Sequence, residues 1–200
     1  MMRTVPLPFT WPYALVFWAV FIWAFAPESK IVRSAKEPAQ RADSPDAGSY
    51  RVLVFGMGAA SFLAFPLAWI PALQFPRGAH VVLFVLGVAA VISGSLLRRH
   101  CWRTLGASFT GDVRARPDQE VVARGAYKYV RHPAYAAGLV MNVGMGLGLG
   151  SWASTLLLAL ATFGVYSYRI SVEEKVLMTV VGEPYRAYTR NRKRLVPFIY

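Results

Sequence analysis

Residues 135–168 read YAAGLVMNVGMGLGLGSWASTLLLALATFGVYSY, with no Asp, Glu, Lys or Arg among them. The stretch divides into two apolar runs, Tyr135–Gly150 and Trp152–Tyr168, with almost nothing between them. Each approaches the roughly 20 residues that cross a bilayer core. Lipid offers no water to the peptide groups, so such runs must satisfy their own hydrogen bonds as helices. The pair therefore reads as a tight helical hairpin in a membrane. Gly138, Gly144, Gly146, Gly148 and Gly150 recur through the first run, with Gly144 and Gly148 at the spacing that lets two helices approach closely. Room for a bulky ligand is the alternative use of those missing side chains. Asn142, polar within the run, is either an interhelical hydrogen-bonding group or a pocket group.

Three more apolar runs lie upstream. Trp11–Ala26 is rich in Trp and Phe and is extended by Pro8 and Phe9. Arg3 ahead of it and Ala24-Phe25-Ala26 at its end resemble a signal peptide, but Pro27 follows the would-be cut and the core is unusually aromatic. The run is read as an anchor. Val52–Leu73 carries Pro66 as a possible kink, and Ala79–Leu97 follows a short turn through Pro71, Pro76, Arg77 and Gly78. Residues 27–50 read as a solvated loop, 98–133 as the longest polar stretch, and Arg169–Tyr200 as a helical start with a basic tail. The expected fold is all-α and polytopic, with about five transmembrane helices ending in the hairpin. It forms a single membrane domain over 1–200, with N-terminal spans in 1–97 and the chemistry in 98–200.

Composition agrees: mean hydropathy is +0.38 and 56% of the 200 residues are hydrophobic. Charged residues are 16%, against about 25% in a typical soluble domain. The net charge of +12 does not point to nucleic acid, because acidic residues share the basic loops and those loops border apolar runs. With five spans, 27–51, 98–133 and the C-terminal tail fall on one face, and they hold every Lys and Arg except Arg3 and Arg77, and every Asp and Glu. The Lys and Arg excess puts that face in the cytoplasm and the N-terminus outside. An even number of spans would split the charged segments. Cys101 is the only cysteine, which leaves no internal disulfide, and His80, His100 and His132 lack ligand spacing, so no metal site is expected.

The residues of chemical interest lie on either side of the hairpin. Before it comes Gly125-Ala-Tyr-Lys-Tyr-Val-Arg131-His132-Pro133-Ala-Tyr135. Tyrosines and basic residues suit a cytoplasmic interface. Pro133 suits the first turn of a helix, where His132 can cap or bind. After the hairpin comes Arg169-Ile-Ser-Val-Glu173-Glu174, with Arg169 and Glu173 on one helical face. Alone that is an ordinary ion pair worth a few tenths of a kcal/mol, on the order of 0.3. The hairpin, however, can bring both groups to one cytoplasmic site.

Together with Leu105-Gly106, Gly182-Glu183-Pro184-Tyr185…Tyr188 and Arg194-Leu-Val-Pro197-Phe198, these motifs resemble the isoprenylcysteine carboxyl methyltransferase family, in order over about the C-terminal half. The resemblance implies an S-adenosylmethionine site at the cytoplasmic face, opening sideways toward lipid. By the family pattern Gln119, Glu120, Val121 and Val122 border the cofactor, Tyr127, His132, Pro133, Ala134 and Tyr135 continue that wall, and Glu173 completes it. Arg169 is then the residue facing the substrate carboxylate. Gln119 stands where many relatives have His, Ala137 where Gly is expected, and Val181 where Phe is usual.

Physically the set is sensible. Glu173 can accept hydrogen bonds from an ammonium or ribose, tyrosine faces attract a sulfonium, and an Arg grips a carboxylate with two prongs. The implied activity is methyl transfer from S-adenosylmethionine to the carboxylate of an amphiphilic, isoprenylcysteine-like substrate, with membrane lipid as the other partner and no nucleic acid. A carboxylate attacks in line and already charged, so alignment is the protein's task and no general base is assigned. Two other readings are an NADPH-dependent membrane reductase and a non-catalytic membrane scaffold. A reductase would want basic groups converging on phosphates, whereas Glu120, Glu173 and Glu174 accompany the arginines here. The acceptor's identity and the oligomeric state are not legible in the sequence.

Overall fold

The computed structural model describes residues 5–34, 48–106, 115 and 119–195. Its elements are α1 (Tyr13–Ser34), α2 (Ser49–Ala68), α3 (His80–Leu105), α4 (Pro133–Gly148), α5 (Trp152–Val180) and α6 (Glu183–Thr189). Short 3₁₀ turns occupy Pro71–Leu73 and Gly125–Lys128. Among the described residues there is no β-strand, only the isolated bridges Gln74–Ser151 and Val130–Lys193.

The expected hairpin is α4 and α5. Gly150 reverses the chain at φ +72°, a conformation open to glycine. Ser151 then caps α5: its Oγ accepts from the Ser154 amide at 3.1 Å and donates to the Leu73 carbonyl at 2.7 Å. One side chain thus starts a helix and ties the hairpin's turn to the α2–α3 connection. The Phe75 amide adds a bond to the Gly150 carbonyl at 3.0 Å.

Glycines set the closest packing. A Cβ on Gly87 of α3 would lie 2.5 Å from the Gly144 carbonyl oxygen of α4. Close helix approach, the first of the two uses read for that run, is therefore what Gly144 serves. Asn142 takes neither expected role in its amide nitrogen, which bonds the Gly138 carbonyl of its own helix at 2.9 Å. On α1, Trp18 stacks on Phe65 of α2, with ring centroids 5.7 Å apart.

Three helical stretches, Ser49–Ala68, Arg77–Leu105 and Trp152–Val180, are long and apolar enough to cross a membrane, and Tyr13–Glu28 is a shorter apolar one. Large apolar side chains also face outward, among them Phe55 (74% exposed) and Phe62 (77%) on α2. Water would penalise that surface and lipid does not.

Several helices outrun their apolar runs. α1 continues through Pro27 to Ser34, so the start of the expected 27–50 loop is helical, and α2 already begins at Ser49. α3 goes on from Leu97 to Leu105, and α5 from Tyr168 to Val180. The reason is shared: the charged side chains that ended the apolar runs find partners near the ends of neighbouring helices. α2 ends earlier than expected, at Ala68, because Ile70 precedes Pro71 and takes an extended ψ of 111°.

Candidate active site

The C-terminal ends of α1, α3 and α5 and the N-terminal ends of α2 and α4 meet at one end of the helix assembly, where the expected site residues gather. α4 begins as the sequence suggests, with Pro133 at its first turn and His132 before it. The His132 side chain does not cap the helix. Its Nε2 instead lies 3.2 Å from Glu174 Oε1 on α5.

Glu174 is the hub of this end. It is 3% exposed, and Arg131 Nη1 reaches Oε1 at 2.9 Å while Arg194 Nη2 reaches Oε2 at 2.9 Å. A carboxylate this buried requires such pairing. Arg131 also donates to the carbonyls of Arg192 (2.7 Å) and Thr189 (3.0 Å). The amides of Arg131 and His132 bond the carbonyls of Lys193 and Arg194, each at 2.9 Å. The chain after α6 is thereby laid beside the His132-Pro133 motif.

One residue earlier on α5, Glu173 accepts the Tyr135 hydroxyl at 2.9 Å. The guanidinium of Arg169 also hydrogen-bonds the Tyr135 side chain. Arg169 is 3% exposed and its Nη1 donates to Ser49 Oγ, at the start of α2, at 2.7 Å. The two constellations read from the sequence are thus joined through Tyr135. Its ring packs on Tyr166 at 4.9 Å.

The segment 119–122, outside any helix, borders this end through its valines. Val122 packs with Cys101, Tyr127 and Ala134, and Val121 with Val181, Tyr185 and Tyr188. Gln119 is half-buried, and Glu120 is exposed. Tyr127 is buried, and its carbonyl accepts the Tyr188 hydroxyl at 2.8 Å. Burial pushes the Tyr127 phenol well above its usual range and Tyr188 up to about 12, so both rings are neutral around pH 7. Pro133 and Ala134 are buried in the first turn of α4. The Ala134 carbonyl accepts Arg98 Nη1 at 2.6 Å, and the rest of that guanidinium grips both oxygens of Glu28 on α1.

Of the expected residues, Tyr127, His132, Pro133, Ala134, Tyr135, Arg169 and Glu173 form one contiguous group with Val122, while Glu120 stands apart at the surface. Glu174, Arg131, Arg98, Glu28 and Ser49 complete the site's frame and carried no separable signal. Their partners are 20 to 120 residues away in sequence. Among the described residues no three His, Cys, Asp or Glu side chains gather as metal ligands.

Comparison with known proteins bears on residues 85–179, which include this group from α3 to α5 and coincide with the isoprenylcysteine carboxyl methyltransferase family model. That stretch matches the family. A protein-S-isoprenylcysteine O-methyltransferase of Schizosaccharomyces pombe is 32% identical over 108 residues, covering 53% of this chain and 46% of that protein. Enzymes of the same name from Dictyostelium discoideum and, as form B, Arabidopsis thaliana are each 30% identical, over 70% and 56% of this chain and 59% and 58% of their own lengths. The chain therefore spans about half the length of the curated relatives it matches. The fold is shared with a solved eukaryotic intramembrane Ras methyltransferase, ICMT, at TM-score 0.64 and 21% identity, over 96% of this chain and 70% of that one. With the apolar helices, the family match makes the chain an integral membrane protein.

Proposed function

We propose that this protein transfers a methyl group from S-adenosylmethionine to the carboxylate of a lipophilic substrate, a prenylated cysteine in the first instance. The observation that carries the reading is the Tyr135–Glu173 hydrogen bond with Arg169 beside it. It joins, across the hairpin, residues to which the resemblance gives cofactor and substrate roles, and that juxtaposition supports the reading. The names of the relatives support the substrate class.

The residues fit the cofactor by their chemistry. Glu173 offers a carboxylate to an ammonium or ribose, and Tyr127 and Tyr135 offer neutral aromatic faces to a sulfonium. Val121, Val122, His132, Pro133 and Ala134 would line the remainder, with Gln119 and Glu120 at its rim. When bound, S-adenosylmethionine supplies an electrophilic methyl group.

The chain's own residues do the rest. Arg169, anchored by Ser49, presents its guanidinium to the substrate carboxylate and holds one oxygen in line for attack. Tyr135 keeps Arg169 and Glu173 in register, so the two binding halves are positioned by one hydroxyl. Glu174 fixes His132 and Arg131, and with them the start of α4. No proton need move, because the nucleophile is anionic at neutral pH.

The single domain is read as five spans, α1 to α5, with the site and C-terminus in the cytoplasm and the N-terminus outside. The test is calorimetric titration of the detergent-purified protein with S-adenosylhomocysteine, beside Glu173→Ala and NADPH. Binding lost by at least tenfold in the variant, with no NADPH heat, and methyl transfer to a farnesylated cysteine acid support the proposal. Silence toward S-adenosylhomocysteine from folded protein, with NADPH binding, would promote the reductase reading instead.

A further inference from the structure

Tyr185 is in the first turn of α6, within the Gly182-Glu183-Pro184-Tyr185 motif, and is 5% exposed. Its ring packs with Val121, Val181 and Tyr188. Yet its hydroxyl is buried and has no hydrogen-bond partner among the described residues. A buried hydroxyl without a partner is costly, and native proteins leave few of them. The neighbouring Tyr188, 5.9 Å away ring to ring, shows the ordinary solution: its hydroxyl bonds the Tyr127 carbonyl at 2.8 Å. Two tyrosines share one apolar cluster, and one of them has its hydrogen bond inside the protein while the other does not.

The position of that hydroxyl matters. The ring's cluster includes Leu177 and Met178, one turn beyond Glu173 and Glu174 on α5, and the charges of those two carboxylates and of Arg131 act on the Tyr185 phenol. Val121, against its ring, belongs to the segment expected to border the methyl donor. The phenol stays protonated, because burial raises its pKa well above the usual tyrosine range. It can therefore both donate and accept a hydrogen bond. A nucleoside offers flat apolar faces with polar edges, which suits a phenol ring set among valines and ending in an unused hydroxyl.

We infer that Tyr185 is a cofactor-binding residue whose hydroxyl is reserved for the nucleoside half of the bound methyl donor. The inference rests on the methyltransferase reading given above. It makes α6, beyond the segment that matches the family model, part of the cofactor wall.

The test compares Tyr185→Phe and Tyr188→Phe with the unaltered full chain, by S-adenosylhomocysteine titration and thermal unfolding in detergent. Tyr185→Phe removes only the oxygen. It is expected to leave the ligand-free melting temperature unchanged or raised, and to weaken S-adenosylhomocysteine about threefold to tenfold, the loss of one net hydrogen bond. Tyr188→Phe loses a bond made inside the protein, so its ligand-free melting temperature falls. Equal S-adenosylhomocysteine affinity in Tyr185→Phe and the unaltered protein would overturn the inference while leaving the methyltransferase reading standing. So would a ligand-free melting temperature lowered in Tyr185→Phe as much as in Tyr188→Phe. No binding by the unaltered protein would overturn both.

Discussion

Arg169 illustrates how little of a side chain's task lies in its local spacing. Four residues from Glu173 on one helix, it has the position of a routine surface ion pair. In the fold it is 3% exposed, anchored to Ser49 of α2 and bonded to Tyr135 of α4. An arginine so enclosed is held in one orientation by three helices, and a planar two-pronged grip on a carboxylate needs that orientation. Lysine keeps the charge but not the fork. Arg169→Lys is expected to lower kcat/KM for the carboxylate acceptor about tenfold to a hundredfold, the value of a charge-assisted hydrogen bond. Affinity for S-adenosylhomocysteine should change by less than about threefold. Steady-state kinetics and calorimetry on the same preparation separate the two, and an equal loss in both would move Arg169 into the cofactor wall. Glu174 was quoted in the sequence motif without a role, because nothing in the string Glu173-Glu174 says that one carboxylate faces the site and its neighbour faces two guanidinium groups and an imidazole. Adjacent helical residues point about 100° apart, so the division follows from helix geometry once α4 and the tail are in place.

Helices that carry no motif still hold the site. α1 contributes Glu28, just after Pro27, and α3 contributes Arg98, just after the apolar run that ends at Leu97. In the sequence both are the first charges of a polar stretch and read as loop. In the fold they clasp each other, and Arg98 Nη1 donates to the Ala134 carbonyl in the first turn of α4. The hairpin was legible because two long uncharged apolar runs with almost nothing between them are a local signal. The clasp was not, because its partners lie 70 residues apart. Removing one partner of a largely buried pair leaves a charge without its counterion, at a cost of about 3 kcal/mol. Glu28→Gln is therefore expected to lower the melting temperature in detergent. Because the clasp bears on Ala134, it should also weaken S-adenosylhomocysteine, by about threefold. A Glu28→Asp variant, which keeps the charge on a shorter stem, should recover part of both losses. Lowered stability with unchanged affinity would reduce the clasp to packing between α1 and α3.

The arrangement of charge was the most legible feature of the chain as an assembly, and it is also the one that packing alone explains least. Glu28, Arg98, Arg131, Glu174 and Arg194 all meet at one end, whereas the turns at the other end, around Gln74 and Ser151, are joined through backbone and neutral side chains. Helices with the ordinary antiparallel order of a bundle put alternate loops on the same side, so five crossings gather the basic segments and four or six would scatter them. α4, at 16 residues, is shorter than a straight span of about 20, which five crossings accommodate if local bilayer thinning or the flanking residues make up the difference. Orientation can be read with a cysteine probe, since the only native thiol, Cys101, is fully buried. In a Cys101→Ala background, Arg77→Cys marks the neutral end and Arg190→Cys the charged one. With a membrane-impermeant maleimide, Arg77→Cys should label in intact cells and Arg190→Cys only after permeabilisation. The reverse pattern would put the site outside the cell, and labelling of both positions in intact cells would sink the five-span arrangement.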